Sequence, residues 1–352
     1  MLTTPTNLLK LARADRHLQP RVAIHYLTEQ CNLNCQYCED FGAWRNAQKQ
    51  QPLPFHQVRS ILGIIRSGVD ALILTGGEPF THPEVDRILA LAKTELKFRE
   101  LTIITNGSLL ARHESALAHL DRLVVSLDTL DPSLMTRVNG ITTSQALAIL
   151  DNVTRFAGLQ KQLGYRMCLN TVLTPETLPG AAALIDFCQQ HNLLISFSPQ
   201  AVNNWPRYEL AVSDQYRSFI EDLPRRKRAG APILGSDAYL RTLANFEPFD
   251  CLPTLAPRIH TNGELSYPCR PLEKAANGQG GRPVNLLDVQ SWQQAWQIAY
   301  QAHGQPPRNC HSCFQQCYAE PSLMQTRPLD PLLEWLRYPA LRAGHISTHA
   351  PG

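Results

Sequence analysis

Residues 28–40 read TEQCNLNCQYCED and put Cys31, Cys35 and Cys38 within eight positions. They follow RVAIHYLT at 21–28, an apolar run rich in β-branched and aromatic residues that reads as a strand. Three thiols at C-x-x-x-C-x-x-C spacing are one short of the four ligands a closed zinc site takes, and no fourth partner is obvious nearby. A 4Fe-4S cluster held by three thiolates leaves one iron open to a ligand, and short steps between cysteines suit a loop wrapped round one corner of a cube. Spacing alone leaves both readings open.

Further strand-like runs recur downstream: DALILT at 70–75, LTIIT at 101–105, RLVVSLD at 122–128, RMCLNTVLT at 166–174 and NLLISFSP at 192–199. Between them lie amphipathic patterns such as FHQVRSILGIIRSG and THPEVDRILALAKTEL, the second with Thr81 as its expected N-cap. Near-continuous apolar strands alternating with helices predict an α/β fold, a partial (β/α)6 TIM-like barrel whose parallel sheet is covered on both faces. In such a barrel the functional loops follow the strands, so the cysteine loop and LTGGEPF at 74–80 share one end. Gly76 and Gly77 would let a backbone edge approach a ligand closely, and Glu78, before Pro79, could take an ammonium group. The plainer alternative is an ordinary glycine turn with an acid at a helix entry.

Four segments are expected: an N-terminal extension over 1–20, the barrel over 21–230, a cysteine-rich subdomain over 231–320 and a tail over 321–352. The helix expected over 211–230 ends in RRKRAG, most simply a solvated last turn. RIHTNGELSYP reads as a hairpin about Asn262 and Gly263, and DVQSWQQAWQIAYQAHG as a helix with Trp292 and Trp296 as a packing stripe. Cys251 and Cys269, separated by 17 residues that span the hairpin, would lie at its base, and Cys310 and Cys313 add a C-x-x-C pair. Four such thiolates could close a 4Fe-4S or a zinc site, with Cys317 spare or replacing Cys313. Cys168 and Cys188 sit in apolar settings and read as small buried hydrophobes.

Composition narrows the class. The chain has 352 residues, and 33 Lys plus Arg against 30 Asp plus Glu give a net charge of +3, no basis for nucleic-acid or anionic-membrane binding. No stretch reaches the roughly 18 apolar residues of a membrane span. Ten cysteines without an export signal point to metal or redox chemistry and a cytoplasmic location.

CNLNCQYC, then GGEP, TNG at 105–107 and VSLD at 125–128 together resemble the radical S-adenosylmethionine (SAM) superfamily, in the branch with the molybdenum-cofactor GTP cyclase and the SPASM and twitch enzymes. The resemblance implies that Cys31, Cys35 and Cys38 hold a 4Fe-4S cluster whose open iron chelates SAM. It implies that the backbone at Tyr37 contacts the adenine, that Gly76, Gly77, Glu78 and Pro79 hold the methionine amino end, and that Ser126, Asn106 and Arg137 add contacts. A twitch-type second, auxiliary 4Fe-4S cluster would fall to Cys251, Cys269, Cys310, Cys313 and Cys317. The implied chemistry is reductive SAM cleavage to a 5'-deoxyadenosyl radical that abstracts hydrogen, with electrons from a flavodoxin- or ferredoxin-type donor. Oxidation of a small metabolite or peptide side chain is expected. The alternatives are redox-neutral adenosyl transfer or epimerisation, as in the hopanoid adenosyl-transfer branch, and a non-catalytic iron-sulfur or zinc module. Ile73 and Cys168 stand where the cyclase resemblance calls for basic residues, which argues against nucleotide cyclisation. About twenty residues precede the first strand, so no leader-peptide domain is expected. No catalytic acid or base is assignable; Glu39 and Asp40 are pocket-lining or solvated.

Overall fold

All six apolar runs are strands: β1 (Ala23–Tyr26), β2 (Ala71–Thr75), β3 (Glu100–Thr105), β4 (Arg122–Ser126), β5 (Arg166–Leu173) and β6 (Leu194–Pro199). The computed structural model describes residues 5–41, 49–272, 283–308, 310, 313–327 and 329–338; residues 1–4 of the extension and the tail beyond 338 lie outside these. β1 to β6 pair in sequence order, every pair parallel. Successive side chains alternate faces, so Leu72, Leu74, Leu101, Ile103, Leu123, Val125 and Leu169 share one side. There they join Val58, Ile61 and Ile65 of helix Phe55–Arg66 in one large core. Each such side chain contributes about 2 kcal/mol on burial, and a register slip of one residue would turn the whole set away from the helices. On the opposite, inner face Val22, Ile24, Ala71 and Ala256 form a smaller cluster against Ile73 and Cys317.

The hairpin about Asn262 and Gly263 is present, but it does not stand apart from the barrel. After a short hairpin of β7 (Ala201–Val202) and β8 (Trp205–Pro206), β9 (Arg258–Ile259) pairs parallel with β1, and β10 (Glu264–Ser266) and β11 (Val284–Asn285) follow antiparallel. One nine-stranded sheet results, and the edge that β1 would otherwise expose is covered. Trp292 and Trp296 stack 5.2 Å apart and are buried, as a packing stripe requires. Cys188 is buried among apolar neighbours, whereas Cys168, buried beside Leu194, also has the Arg122 guanidinium 3.7 Å from its sulfur, so its setting is not purely apolar. Among the described residues no helix is long and apolar enough to cross a membrane.

Two local expectations are corrected. Thr81 ends a short 3-10 turn, Pro79–Thr81, and its hydroxyl donates to Glu78 O at 2.7 Å, so it caps nothing; the helix begins at Val85. The RRKR turn is not wholly solvated. Arg225 and Arg226 pair with Asp222, but Lys227 is only 3 % exposed and its Nζ lies 2.9 Å from Glu334 of helix Asp330–Arg337. Glu334 also accepts the Asp237 N–H at 2.7 Å, so the pair fastens the C-terminal helix to the barrel. Lys227→Met, which strands a buried carboxylate, is expected to cost about 3 kcal/mol in urea unfolding; an unchanged midpoint would refute the fastening.

Glu320, in helix Gln316–Thr326, is buried with Oε1 accepting the Ser236 N–H at 2.9 Å and Oε2 without a partner. Burial first, then the Glu334 charge, pushes its carboxyl up to about 7. A folded-state value above the unfolded one means this contribution to stability is complete below about 4.5 and lost as pH rises through about 7. Glu320→Gln should therefore flatten the fall in unfolding free energy between pH 5 and 8 by roughly 3 kcal/mol. Parallel pH profiles for the two proteins would contradict it.

Candidate metal and cofactor site

The cysteine loop is built against its neighbours by backbone contacts. Gly77 N–H donates to Thr28 O and Glu78 N–H to Gln30 O, each at 2.8 Å, so the loop after β2 runs alongside the loop after β1. A Cβ on Gly76 (φ 149°) would lie 2.4 Å from Thr28 O, and one on Gly77 2.4 Å from Gln30 O. The paired glycines are thus required by the approach of two backbones within the protein itself.

Glu78 is wholly buried. Its carboxylate accepts from Phe80 N–H (3.1 Å), Thr105 Oγ1 (2.7 Å) and Asn106 N–H (2.7 Å). Burial raises it to about 7 against the pull of those donors. The acid offered by the sequence to an ammonium group spends three of its roughly four acceptor positions tying the second and third loops together. Asn106 in turn donates from Nδ2 to Asn32 Oδ1 at 2.9 Å, reaching the cysteine loop directly. Pro79 is buried at the start of the 3-10 turn.

The Tyr37 hydroxyl donates to Asp128, whose other oxygen accepts the Val172 N–H at 2.8 Å. Burial lifts the Asp128 carboxyl to about 6. Nothing in the sequence singles out Asp128, although it closes the same VSLD stretch as Ser126. Ser126 is half-buried at the end of β4, opposite Asn170 of β5 on the inner face. Arg137 is exposed, and its Nη1 donates to Ser133 O at 3.3 Å within its own helix. What reaches the cysteines is the end of that helix, Pro132–Asn139. Gln36 and Asn34 donate their N–H groups to Val138 O and Asn139 O at 2.9 and 3.0 Å, and Asn139 Nδ2 lies 3.4 Å from Cys35 Sγ. The orphan carbonyls of a helix C-terminus are being used to hold the loop.

Cys31, Cys35 and Cys38 are half-buried and close enough to influence one another. Burial, then Asp128 and the other two cysteines, pushes the Cys35 thiol up to about 12. Three crowded thiols offer soft sulfur donors, which suit iron in a cluster. Among the described residues no three His, Cys, Asp or Glu side chains gather tightly enough for one metal ion.

A second group lies beside the sheet extension. Cys251, Cys269 and Cys313 cluster with Tyr318, and Cys251 feels Cys313, Cys269 and Cys310 together. Burial pushes the Cys269 and Cys313 thiols up to about 12 and 11. Cys317 packs both against this cluster and on the inner sheet face, with Arg258 Nη2 2.7 Å from its sulfur. The two cysteine groups are joined by a salt bridge in which the Arg270 guanidinium takes both oxygens of Asp40, linking the residue after Cys269 to the second residue after Cys38. Asp40 is therefore spent on an ion pair, and Glu39 accepts the Asn203 N–H.

The Radical SAM superfamily model matches residues 26–188, the span from β1 through the helix before β6. Over that span the chain matches the radical SAM superfamily, as its cysteine loop and GGEP motif imply. It is similar to the GTP 3',8-cyclase of Acidothermus cellulolyticus, 38 % identical over 119 residues, 32 % of this chain and 33 % of that protein. The GTP 3',8-cyclase of Mycobacterium marinum is 30 % identical over 220 residues, 58 % of each chain. The chain thus spans between a third and somewhat over half the length of these curated relatives. Streptococcus suis SuiB bound to S-adenosylmethionine shares the fold at TM-score 0.62 and 22 % identity, over 82 % of this chain and 69 % of SuiB. So does anSMEcpe with bound AdoMet, at TM-score 0.60 and 15 % identity over 81 % of this chain and 82 % of that one. The superfamily's cofactors are a 4Fe-4S cluster and SAM, with an auxiliary cluster typical of such relatives, and the two cysteine groups have the donor chemistry they need.

Proposed function

We propose that this protein cleaves SAM reductively and abstracts hydrogen from a small metabolite or peptide side chain, with net oxidation of the substrate. The observation that carries the reading is the pairing of an open three-cysteine loop with a four-cysteine pocket, fastened together by Asp40 and Arg270. Held by Cys31, Cys35 and Cys38, the cluster and SAM would supply a 5'-deoxyadenosyl radical, and an auxiliary cluster on Cys251, Cys269, Cys310 and Cys313 would accept the second electron. The protein's own contributions are positional. Gly76, Gly77 and Pro79 shape the edge for the methionine end, Glu78 stiffens it, the Tyr37–Asp128 pair fixes the turn whose backbone meets the adenine, and Ser126 faces the same space from β4. Arg137 is given only a supporting role in its helix. Asn139, beside Cys35 Sγ, offers its sulfur a hydrogen bond and so tunes the ligand. A flavodoxin- or ferredoxin-type protein is the proposed electron donor.

Nucleotide cyclisation, the activity named for the relatives, is the second reading. It is disfavoured because Ile73 packs in the inner apolar cluster and Cys168 is buried with Leu194, where that chemistry calls for basic side chains. Anaerobic reconstitution followed by SAM and dithionite tests the proposal. 5'-Deoxyadenosine should form, and deuterium from an oxidised substrate should appear in it. Iron-loaded protein that leaves SAM intact would sink the reading.

A further inference from the structure

We propose that Arg16, in the segment before β1, is a positioning residue of the late cysteine group: its guanidinium holds the loop that carries Cys251, and its charge favours reduction of a cluster bound there. The inference rests on the reading above that Cys251, Cys269, Cys310 and Cys313 hold an auxiliary cluster, and it adds a contribution from 235 residues away in the chain. Helix Pro5–Ala12 leads into a segment that runs along residues 250–256. Arg16 O accepts from Thr254 Oγ1 at 3.0 Å, Leu18 N–H donates to the same hydroxyl at 3.3 Å, and Arg21 N–H donates to Leu255 O at 2.8 Å. Leu18 also packs with Leu252 and Leu255 in a small apolar cluster. These contacts hold Arg16 against the loop.

Arg16 is 5 % exposed. Its Nη1 lies 2.8 Å from Asp250 Oδ1, and its Nη2 donates to Cys251 O. One planar fork thus grips two consecutive residues, the second of them a cysteine of the late group. A buried charge is poorly screened, whereas the Asp250 side chain is 47 % exposed and water answers part of its charge. The pair therefore leaves a net positive field at Cys251. Reduction adds a negative charge to a cluster, and net charge is among the determinants of cluster potential, so this field favours the electron acceptance proposed above. The competing role is a mechanical staple for the N-terminal segment, which has no preferred electrostatic sign.

Potentiometric titration followed by electron paramagnetic resonance separates these roles. The anaerobically reconstituted full chain carrying Cys35→Ala serves as the parent, so that the late group is read alone. In that parent R16Q should disfavour reduction about tenfold, a potential about 59 mV lower for one electron. R16K, which keeps the charge, should stay within about threefold of the parent, and D250N, which removes the opposing charge, should favour reduction about threefold. If R16Q does not fold, D250N carries the test, and a lowered or unchanged potential there overturns the inference. An unchanged potential in R16Q, or a shift of R16Q and D250N in the same direction, would overturn it while leaving the auxiliary cluster in place. A parent that retains no iron would sink the auxiliary-cluster reading itself, and this inference with it.

Discussion

Cys35→Ala should reduce 5'-deoxyadenosine formation to background, a loss of at least about three orders of magnitude, and reconstituted iron from about eight to about four per chain. Cys35 is flanked by Cys31 and Cys38, faced by Asp128 and touched by Asn139. With two thiolates left, the cluster has too few ligands to stay bound and SAM has no iron to chelate. The matched variant, Cys251→Ala, should also lose about four irons yet still cleave SAM, because it empties the other group. Iron titration and chromatography of the quenched reaction distinguish the two. Deoxyadenosine at wild-type levels from Cys35→Ala, or its loss only in Cys251→Ala, would exchange the roles assigned to the groups.

Gly76→Ala should destabilise the fold by about 4 kcal/mol, combining overpacking with a backbone conformation that L side chains rarely adopt. The methyl would meet Thr28 O at 2.4 Å, and that atom is a backbone carbonyl already accepting the Gly77 N–H. Neither partner is the end of a flexible side chain, so relief requires the two loops to separate, taking Gln30 and Cys31 with them. Urea unfolding measures the cost, and SAM binding should weaken in step. A variant as stable as wild type would mean that the loops do not press on each other at Gly76. Gly63, where an added methyl on the helix would meet no atom within 4 Å, provides the control substitution.

Strand identity depends on short-range composition, and for that reason all six apolar runs are strands with bounds close to those expected. The cysteine spacing likewise carries its chemistry locally. Helix starts are less legible, because Thr81 has a competing acceptor in Glu78 O that depends on how the loop after β2 folds. Lys227 reads as solvated for a related reason: its counter-charge, Glu334, is 107 residues away. Asp128 and the Val138–Asn139 carbonyls have no signal of their own, since a buried acid and a helix end acquire meaning only from what packs on them.

The sequence by itself determined the parallel α/β barrel, the three-cysteine loop at the end of its first strand and the separate late set of cysteines. These depend on periodicity and on neighbours a few residues apart. Tertiary structure decided that the late hairpin extends the barrel sheet through β9, that Glu78 is a strut between loops, and that Cys317 sits between the other late thiols and Arg258. Those outcomes are set by which backbone edges and buried charges find partners across hundreds of residues, and no local pattern encodes the partner.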